Sequence, residues 1–443
     1  MSGAPGNPTP QDPRPLLDDL AAAAGESGVF ASSHPEGLKA SVPALRRRRR
    51  PGQPDPVGVL TLTRTDDGVL RWHEGPLVRT LPGRRRGGRA AAGAPEGEPL
   101  EQFHFEKLEP NEVSAFLARR DLGFTPNPGL RRLKGGQLAA VEAPAGKGRL
   151  LLIVHGTFSN SENVLEGVQR SATGPAFLRR IEAHYDQVLT FDHPTVSVSP
   201  ILNALDLAAA FASTKADVDV VAHSRGGLVA RWWLDGLGGG IGGRRRAVLV
   251  GSPLGGTSLA APPRLRQAMN LLTNFGTALK LAGAAAAVYM PFLAAPVAIL
   301  RVAASITGFM ASTPVFDAAV AMIPGLAGQS RVLGNPELVR ARRLAPPTAV
   351  EYSVVQSNFE AEDPGWRFWR HFRGEVIGDA AADVLFPGEN DLVVDTASMT
   401  EFSGEAFPSD RVRAFRKSSR VHHTSYFEQP ETLQFIADRL AIP

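Results

Sequence analysis

A chain of 443 residues with 43% hydrophobic content can build a sizeable core, as one large domain or two medium ones. It has no cysteine, which excludes disulfides, thiolate metal sites and a cysteine nucleophile, so nucleophilic side-chain chemistry falls to serine. The net charge of +4 is modest and gathers in arginine clusters at 46–50, 84–86 and 244–246, which lack interleaved aromatics, so nucleic acid is not the expected partner.

Residues 1–56 are rich in Pro, Gly, Ala and Ser and close on the first arginine run, a composition that predicts a disordered tail. The polar, proline-rich start lacks the basic-then-apolar order of a secretory signal, so a cytoplasmic location is expected. Residues 57–145 read as a β-rich region. The alternating stretches 59–63 and 69–72 flank the turn Asp66-Asp67-Gly68 and predict a hairpin, followed by a helix over 112–120 and a strand over 137–142. No chemistry is assigned to this region.

From residue 146 to the end, short apolar runs alternate with helical stretches, the pattern of a mostly parallel sheet flanked by helices. Strands are predicted at 150–154, 188–191, 218–222, 247–250, 351–356 and 412–415. Helices are predicted over 175–184, 201–212 and 226–237.

The sharpest signal is the run from Val218 to Arg231, an apolar strand, a tight turn centred on Ser224, and a helix. That is the context of a nucleophile elbow, G-x-S-x-G, with Ala222 in the first glycine's place and Gly226 and Gly227 behind the turn. Such a serine needs two N–H groups to hold an oxyanion. Arg225 supplies the one after the nucleophile, and Thr157, in the His155-Gly156-Thr157 loop after an earlier strand, is the candidate for the second. His155 is expected to brace that loop.

In this fold the acid and then the base follow the serine in the chain. Of His371, His422 and His423, the last two lie beyond the final predicted strand; His423 is preferred as base and His422 is the alternative. The acid is expected in the loop Pro387-Gly-Glu-Asn-Asp-Leu-Val-Val-Asp, with Asp391 ahead of Asp395 and Asp383.

With Val154-His-Gly-Thr, Ala222-His-Ser-Arg-Gly, Asn390-Asp-Leu-Val and His423 in this order, the sequence resembles the lipase-like branch of the α/β-hydrolase superfamily. That branch includes bacterial triacylglycerol lipases and inositol deacylases. Those lipases carry glycine where Leu392 stands, and the segment Gly251-Ser-Pro-Leu-Gly-Gly-Thr is similar to their Thr-Pro-His-x-Gly-Thr loop, with Leu254 in place of histidine. The resemblance covers the chain from about residue 150 onward. It implies ester hydrolysis through an acyl-serine, a Ser224–Asp391–His423 triad and no cofactor.

Between 251 and 351 the chain spends nearly a hundred residues where one crossover helix would suffice. The excess, at about 262–330, is expected to form an apolar helical cap. Its stretch 281–300 is uncharged and meets the length of a membrane span, but Pro291 and Pro296 and its place between strands of one sheet argue for a packed cap. An interfacial lid is the alternative. The expected partner is a hydrophobic ester or lipid, and the apolar insert or basic tail could add peripheral membrane contact. Competing readings are an amidase or peptidase on the same fold, and a non-catalytic interaction module.

Overall fold

The computed structural model describes residues 13–26, 28–32, 57–74, 97–109, 111–237, 243–261, 264–307, 323–344, 350–360, 364–372, 385–402 and 407–443. Among these, two sheets organise the chain. The first is antiparallel, with β1 (Val29–Ser32), β2 (Val57–Arg64), β3 (Leu70–Glu74) and β4 (Glu98–Glu106) paired in the order β1-β4-β2-β3. The expected hairpin is β2–β3, and Gly68 takes a left-handed φ of 87° at its turn, where a Cβ would be strained.

The second sheet has eight strands: β5 (Gly129–Lys134), β6 (Gln137–Ala140), β7 (Arg149–Val154), β8 (Gln187–Asp192), β9 (Asp217–His223), β10 (Arg245–Val250), β11 (Val350–Phe359) and β12 (Val412–Ser418). Their order is β12-β11-β10-β9-β7-β8-β5-β6. β7 to β12 run parallel, and β5 and β6 form an antiparallel edge. The central strands are apolar along their whole length because both faces are covered, with Leu152, Val220 and Leu249 buried on one side and Leu151, Val221 and Val248 on the other. This is the α/β-hydrolase fold. One expected boundary moves: β5 and β6 belong to this sheet, so the β-rich region does not end at residue 145 as a separate unit. β5 pairs antiparallel with β8, and its Arg131 reaches Glu162 and Asp192, the last residue of β8.

Among the described residues, the α-helices of six residues or more are α1 (Arg14–Gly25), α2 (Val113–Phe124), α3 (Ser161–Arg170), α4 (Gly174–His184), α5 (Pro200–Ala210), α6 (Gly226–Arg231), α7 (Leu265–Leu281), α8 (Ala286–Thr307), α9 (Pro336–Arg343) and α10 (Pro430–Arg439). α6 continues as one π-helical turn through Trp232–Leu237. α1 and β1 correct the disordered-tail reading for residues 14–25 and 29–32. Leu16, Leu17, Leu20, Ala23 and Ala24 recur at helical spacing and pack on the apolar core, and Lys280 reaches Asp19 at 2.5 Å. The clusters at 46–50 and 84–86 lie outside the described residues. In the third, Arg244 pairs with Glu351 and Arg246 with Asp219.

α7 and α8 form the body of the insert. By length and composition alone, Ala286–Ser305 could cross a membrane, but 67% of its apolar window is buried inside the fold. Its residues from Phe292 to Ala304 share one core with Leu60, Leu62, Trp72, Phe103 and Phe105 of the first sheet. α8 is therefore a packed core helix of the cap.

Candidate active site

β9 ends at His223 and α6 begins at Gly226, which leaves Ser224 on the turn between them with φ 53°. A non-glycine residue held there costs about 1–2 kcal/mol, so its surroundings must impose the geometry. Ser224 N–H donates to Val250 O at 2.8 Å, and Gly227 N–H donates to Ser224 O at 2.9 Å. Small residues give the turn its room. A Cβ on Gly226 would stand 2.5 Å from His155 O, one on Gly227 would stand 2.2 Å from Ser252 Oγ, and one on Gly156 would stand 2.6 Å from Ser224 Cβ. Ala222 is fully buried at the first motif position without conflict.

The loops after β11 and β12 bring the other two groups to the serine. Ser224 Oγ and His423 Nε2 are 2.8 Å apart, and His423 Nδ1 lies 2.8 Å from Asp391 Oδ2. The carboxylate fixes the tautomer: Nδ1–H donates to Asp391, leaving Nε2 to accept from the hydroxyl. Asp391 is fully buried and also accepts from Val393 N–H (3.0 Å), Val394 N–H (2.8 Å) and the Tyr426 hydroxyl (2.9 Å). Burial alone would push its carboxyl up, but His423 and these backbone donors outweigh it and hold it below the usual carboxylate range.

The remaining candidates fall elsewhere. His422 stacks on Trp366 with ring centroids 5.0 Å apart, lies 3.1 Å from Thr424 Oγ1 through Nδ1, and is pushed down to about 4, chiefly by burial. His371 pairs with Asp67 at 2.9 Å. Asp395 accepts from the N–H and hydroxyl of Ser258, both at 3.0 Å. Asp383 lies outside the described residues. His155 is buried beneath the loop that carries Gly156 and Thr157. Its Nε2 accepts from His193 N–H at 3.1 Å while Nδ1 faces Gly156 O at 2.9 Å.

Thr157 and Ser224 line the same cleft, and Arg225 follows directly on the elbow. Neither Thr157 N–H nor Arg225 N–H donates to another group among the described residues. The cleft is open at its mouth, its enclosed part is small at about 80 Å³, and its walls are mainly apolar. Leu272 of α7 and Ala287, Val288, Pro291 and Phe292 of α8 form one side, and Val164 and Phe427 also line it, as do Ser224 and His423. Its one Arg, Arg170, is paired with Glu166 and Glu428. Pro291 has no N–H for the carbonyl of Ala287 four residues back, and Asn163 Nδ2 on α3 donates to that oxygen at 3.2 Å, across the cleft.

With this geometry in place, the family follows from the sequence as a whole. Residues 127–441, well over half of the chain, match the family model described as "Domain of unknown function (DUF7379)". The chain belongs to this family. No curated protein matches it. Among solved structures, the DUF7379 chain is similar to the mature form of the Bacillus licheniformis lipase BlEst2, with 15% identity, 72% of this chain and 100% of that chain covered, and a TM-score of 0.41. It is also similar to lipase 1 from Pelosinus fermentans, with 12% identity, 66% and 98% covered, and a TM-score of 0.43.

Three residues of this DUF7379 chain enter the site without a sequence signal of their own. Tyr426 reaches Asp391 from the turn just after His423. His223, inside the elbow motif, donates through Nε2–H to His423 O at 2.9 Å and is pushed down to about 3, chiefly by burial, so it stays neutral. Gln329, at the end of the cap, donates through Nε2 to Thr157 Oγ1 at 3.0 Å and to Gly325 O at 3.1 Å, which ties the Thr157 loop to the insert. His223 occupies a variable position of the elbow motif; Tyr426 and Gln329 become visible once the loops meet.

Proposed function

We propose that the protein is a serine hydrolase of the lipase-like branch, cleaving a carboxylic ester with an apolar, lipid-like acyl part. The hydrogen-bonded chain Ser224–His423–Asp391 carries this reading. Ser224 Oγ attacks the ester carbonyl carbon as its proton passes to His423 Nε2, and Asp391 stabilises the imidazolium that forms. The negative charge that develops on the carbonyl oxygen is met by the N–H groups of Thr157 and Arg225. Collapse of the tetrahedral intermediate breaks the bond to the alkoxy oxygen, which takes the proton from His423 and leaves as the alcohol. Water, deprotonated by the same imidazole, then releases the acid and restores Ser224. No step calls for a cofactor. The apolar cleft walls favour an acyl chain, since burial returns about 0.8 kcal/mol per methylene.

Hydrolysis of p-nitrophenyl esters of increasing chain length, with Ser224→Ala alongside, tests the reading. Turnover that rises with chain length and is lost in the variant supports it. Faster turnover of the matching anilides would make the protein an amidase. Absence of turnover together with absence of fluorophosphonate labelling would leave a non-catalytic module.

A further inference from the structure

The first sheet has no part in the chemistry, yet it is joined to the cap in an unusual way. β3 is an edge strand, and its outward backbone groups at Leu70 and Trp72 face α7 instead of another strand. Leu70 N–H donates to Asn274 Oδ1 at 3.0 Å, Leu70 O accepts from Asn274 Nδ2 at 2.9 Å, and Trp72 N–H donates to Asn270 Oδ1 at 2.8 Å. The Trp72 indole N–H donates to Thr273 Oγ1 at 2.9 Å. The match is geometric. Residues four apart on a helix rise about 6 Å, and residues two apart on a strand about 6.8 Å, so two asparagine amides reach successive outward positions of the edge. They occupy the place of a missing strand and satisfy donors that would otherwise be buried and orphaned. All three side chains are buried.

α8 is fastened to the same sheet. Arg301 donates through Nε and Nη2 to Glu106 O at 3.2 and 3.0 Å, and Leu108 N–H, just past β4, donates to Ser305 Oγ at 2.9 Å. On α7, Leu272 lies between Asn270 and Asn274 in sequence, about 160–200° from each around the helix, and it lines the catalytic cleft. One helix thus holds the edge of the first sheet on one face and forms the wall of the cleft on the other.

We infer that Asn270 and Asn274 are positioning residues that clamp the cap to the edge of the first sheet, and that this clamp sets how long an acyl chain the cleft accepts. The inference rests on the esterase reading of the site. It makes the first sheet a fixed brace for the cleft wall, so the cap is not a lid that swings clear of the serine.

The test compares the full-length protein with Asn270→Ala/Asn274→Ala on p-nitrophenyl acetate, butyrate, octanoate and palmitate, together with fluorophosphonate labelling. The expected result is a labelling rate and an acetate kcat within about twofold of wild type, with KM for octanoate and palmitate raised about tenfold and the chain-length optimum flattened. A correctly folded, labelled double variant with the wild-type chain-length profile overturns the clamp alone. Wild-type protein that neither labels nor turns over overturns the esterase reading, and the clamp with it. If the double variant does not fold, Asn270→Ala, which removes a single acceptor, is read against the same profile: a flattened optimum supports the clamp and an unchanged one overturns it.

Discussion

The two halves of the molecule hold their working parts by different means. At the carboxyl ends of β9, β11 and β12 the reactive groups are held by backbone: Ser224 by Val250 O, Asp391 by two peptide N–H groups, and His423 through its own N–H to Asp391 O at 3.0 Å. In the cap half, the walls are held by long-range side chains, with Asn270, Asn274 and Arg301 reaching across some 200 positions of sequence. Backbone devices are short and need only a few small or turn-forming residues at fixed spacing. The side-chain devices depend on where distant segments come to lie. The contrast teaches that the Ser224–His423–Asp391 arrangement is encoded locally and the walls of the cleft are not.

The largest effect should come from the backbone-held end. Asp391→Asn keeps the shape but loses the carboxylate that selects the Nδ1–H tautomer, so kcat should fall about 10⁴-fold with KM little changed, as steady-state kinetics would show. A fall of tenfold or less would mean that another group sets the tautomer. Gly156→Ala places a methyl 2.6 Å from Ser224 Cβ and 3.1 Å from its hydroxyl oxygen. An ångström of displacement at a nucleophile is worth about 10²-fold, and single-turnover acylation should slow by that order while deacylation is less affected. Tyr426→Phe removes one of the hydrogen bonds on Asp391. A bond to a charged group is worth about 1.5–3 kcal/mol, part of which His423 recovers, so a drop in kcat of about tenfold is expected. A more basic Asp391 should also move the acid limb of the kcat/KM profile to higher pH, which a loss of packing alone would not do.

The smallest effect probes the seam between the halves. His422 packs against Phe275 of α7, Phe359 of β11 and Trp366. The fold accepts its neutral form and holds its pKa at about 4, below the unfolded value of 6.5. Its contribution to stability is therefore complete above pH 6.5 and is lost as pH falls from there toward 4, by at most roughly 1.4 kcal/mol per pH unit. Urea midpoints at pH 7.5 and 5 should differ less in His422→Phe than in wild type. An equal difference would place the loss in the other buried histidines, His155, His193 and His223, whose pKa values are also depressed by burial.

Legibility in the sequence follows the same division. The six parallel strands were readable because a strand covered on both faces must be apolar throughout, and the elbow because strain at Ser224 demands small neighbours in sequence. Adjacent histidines share every local signal in the sequence; in the structure His423 lies beside Ser224 and Asp391 while His422 packs on Trp366 and Phe275. α1 was hidden by the prolines and glycines around it, which outweighed one short apolar stripe. β5 was hidden by its arginines, whose partners Glu162 and Asp192 lie far along the chain. Leu392 is a third kind of case. It is not glycine and still takes φ 82°, because Asn390 Oδ1 accepts its N–H at 3.0 Å and its side chain is buried. About 2 kcal/mol or more of side-chain burial outweighs the 1–2 kcal/mol cost of that conformation.

The carbonyl that Pro291 releases has a kinetic meaning. The clamp on β3 is buried, whereas the bond from Asn163 to Ala287 O is exposed at the mouth of the cleft, so the cap has a pinned end and a free one. Breathing of the cleft starts where water can replace the broken bond at little cost, and that is the Asn163 end. Water therefore first enters the wall between α3 and α8, while the side of α7 that faces β3 stays closed.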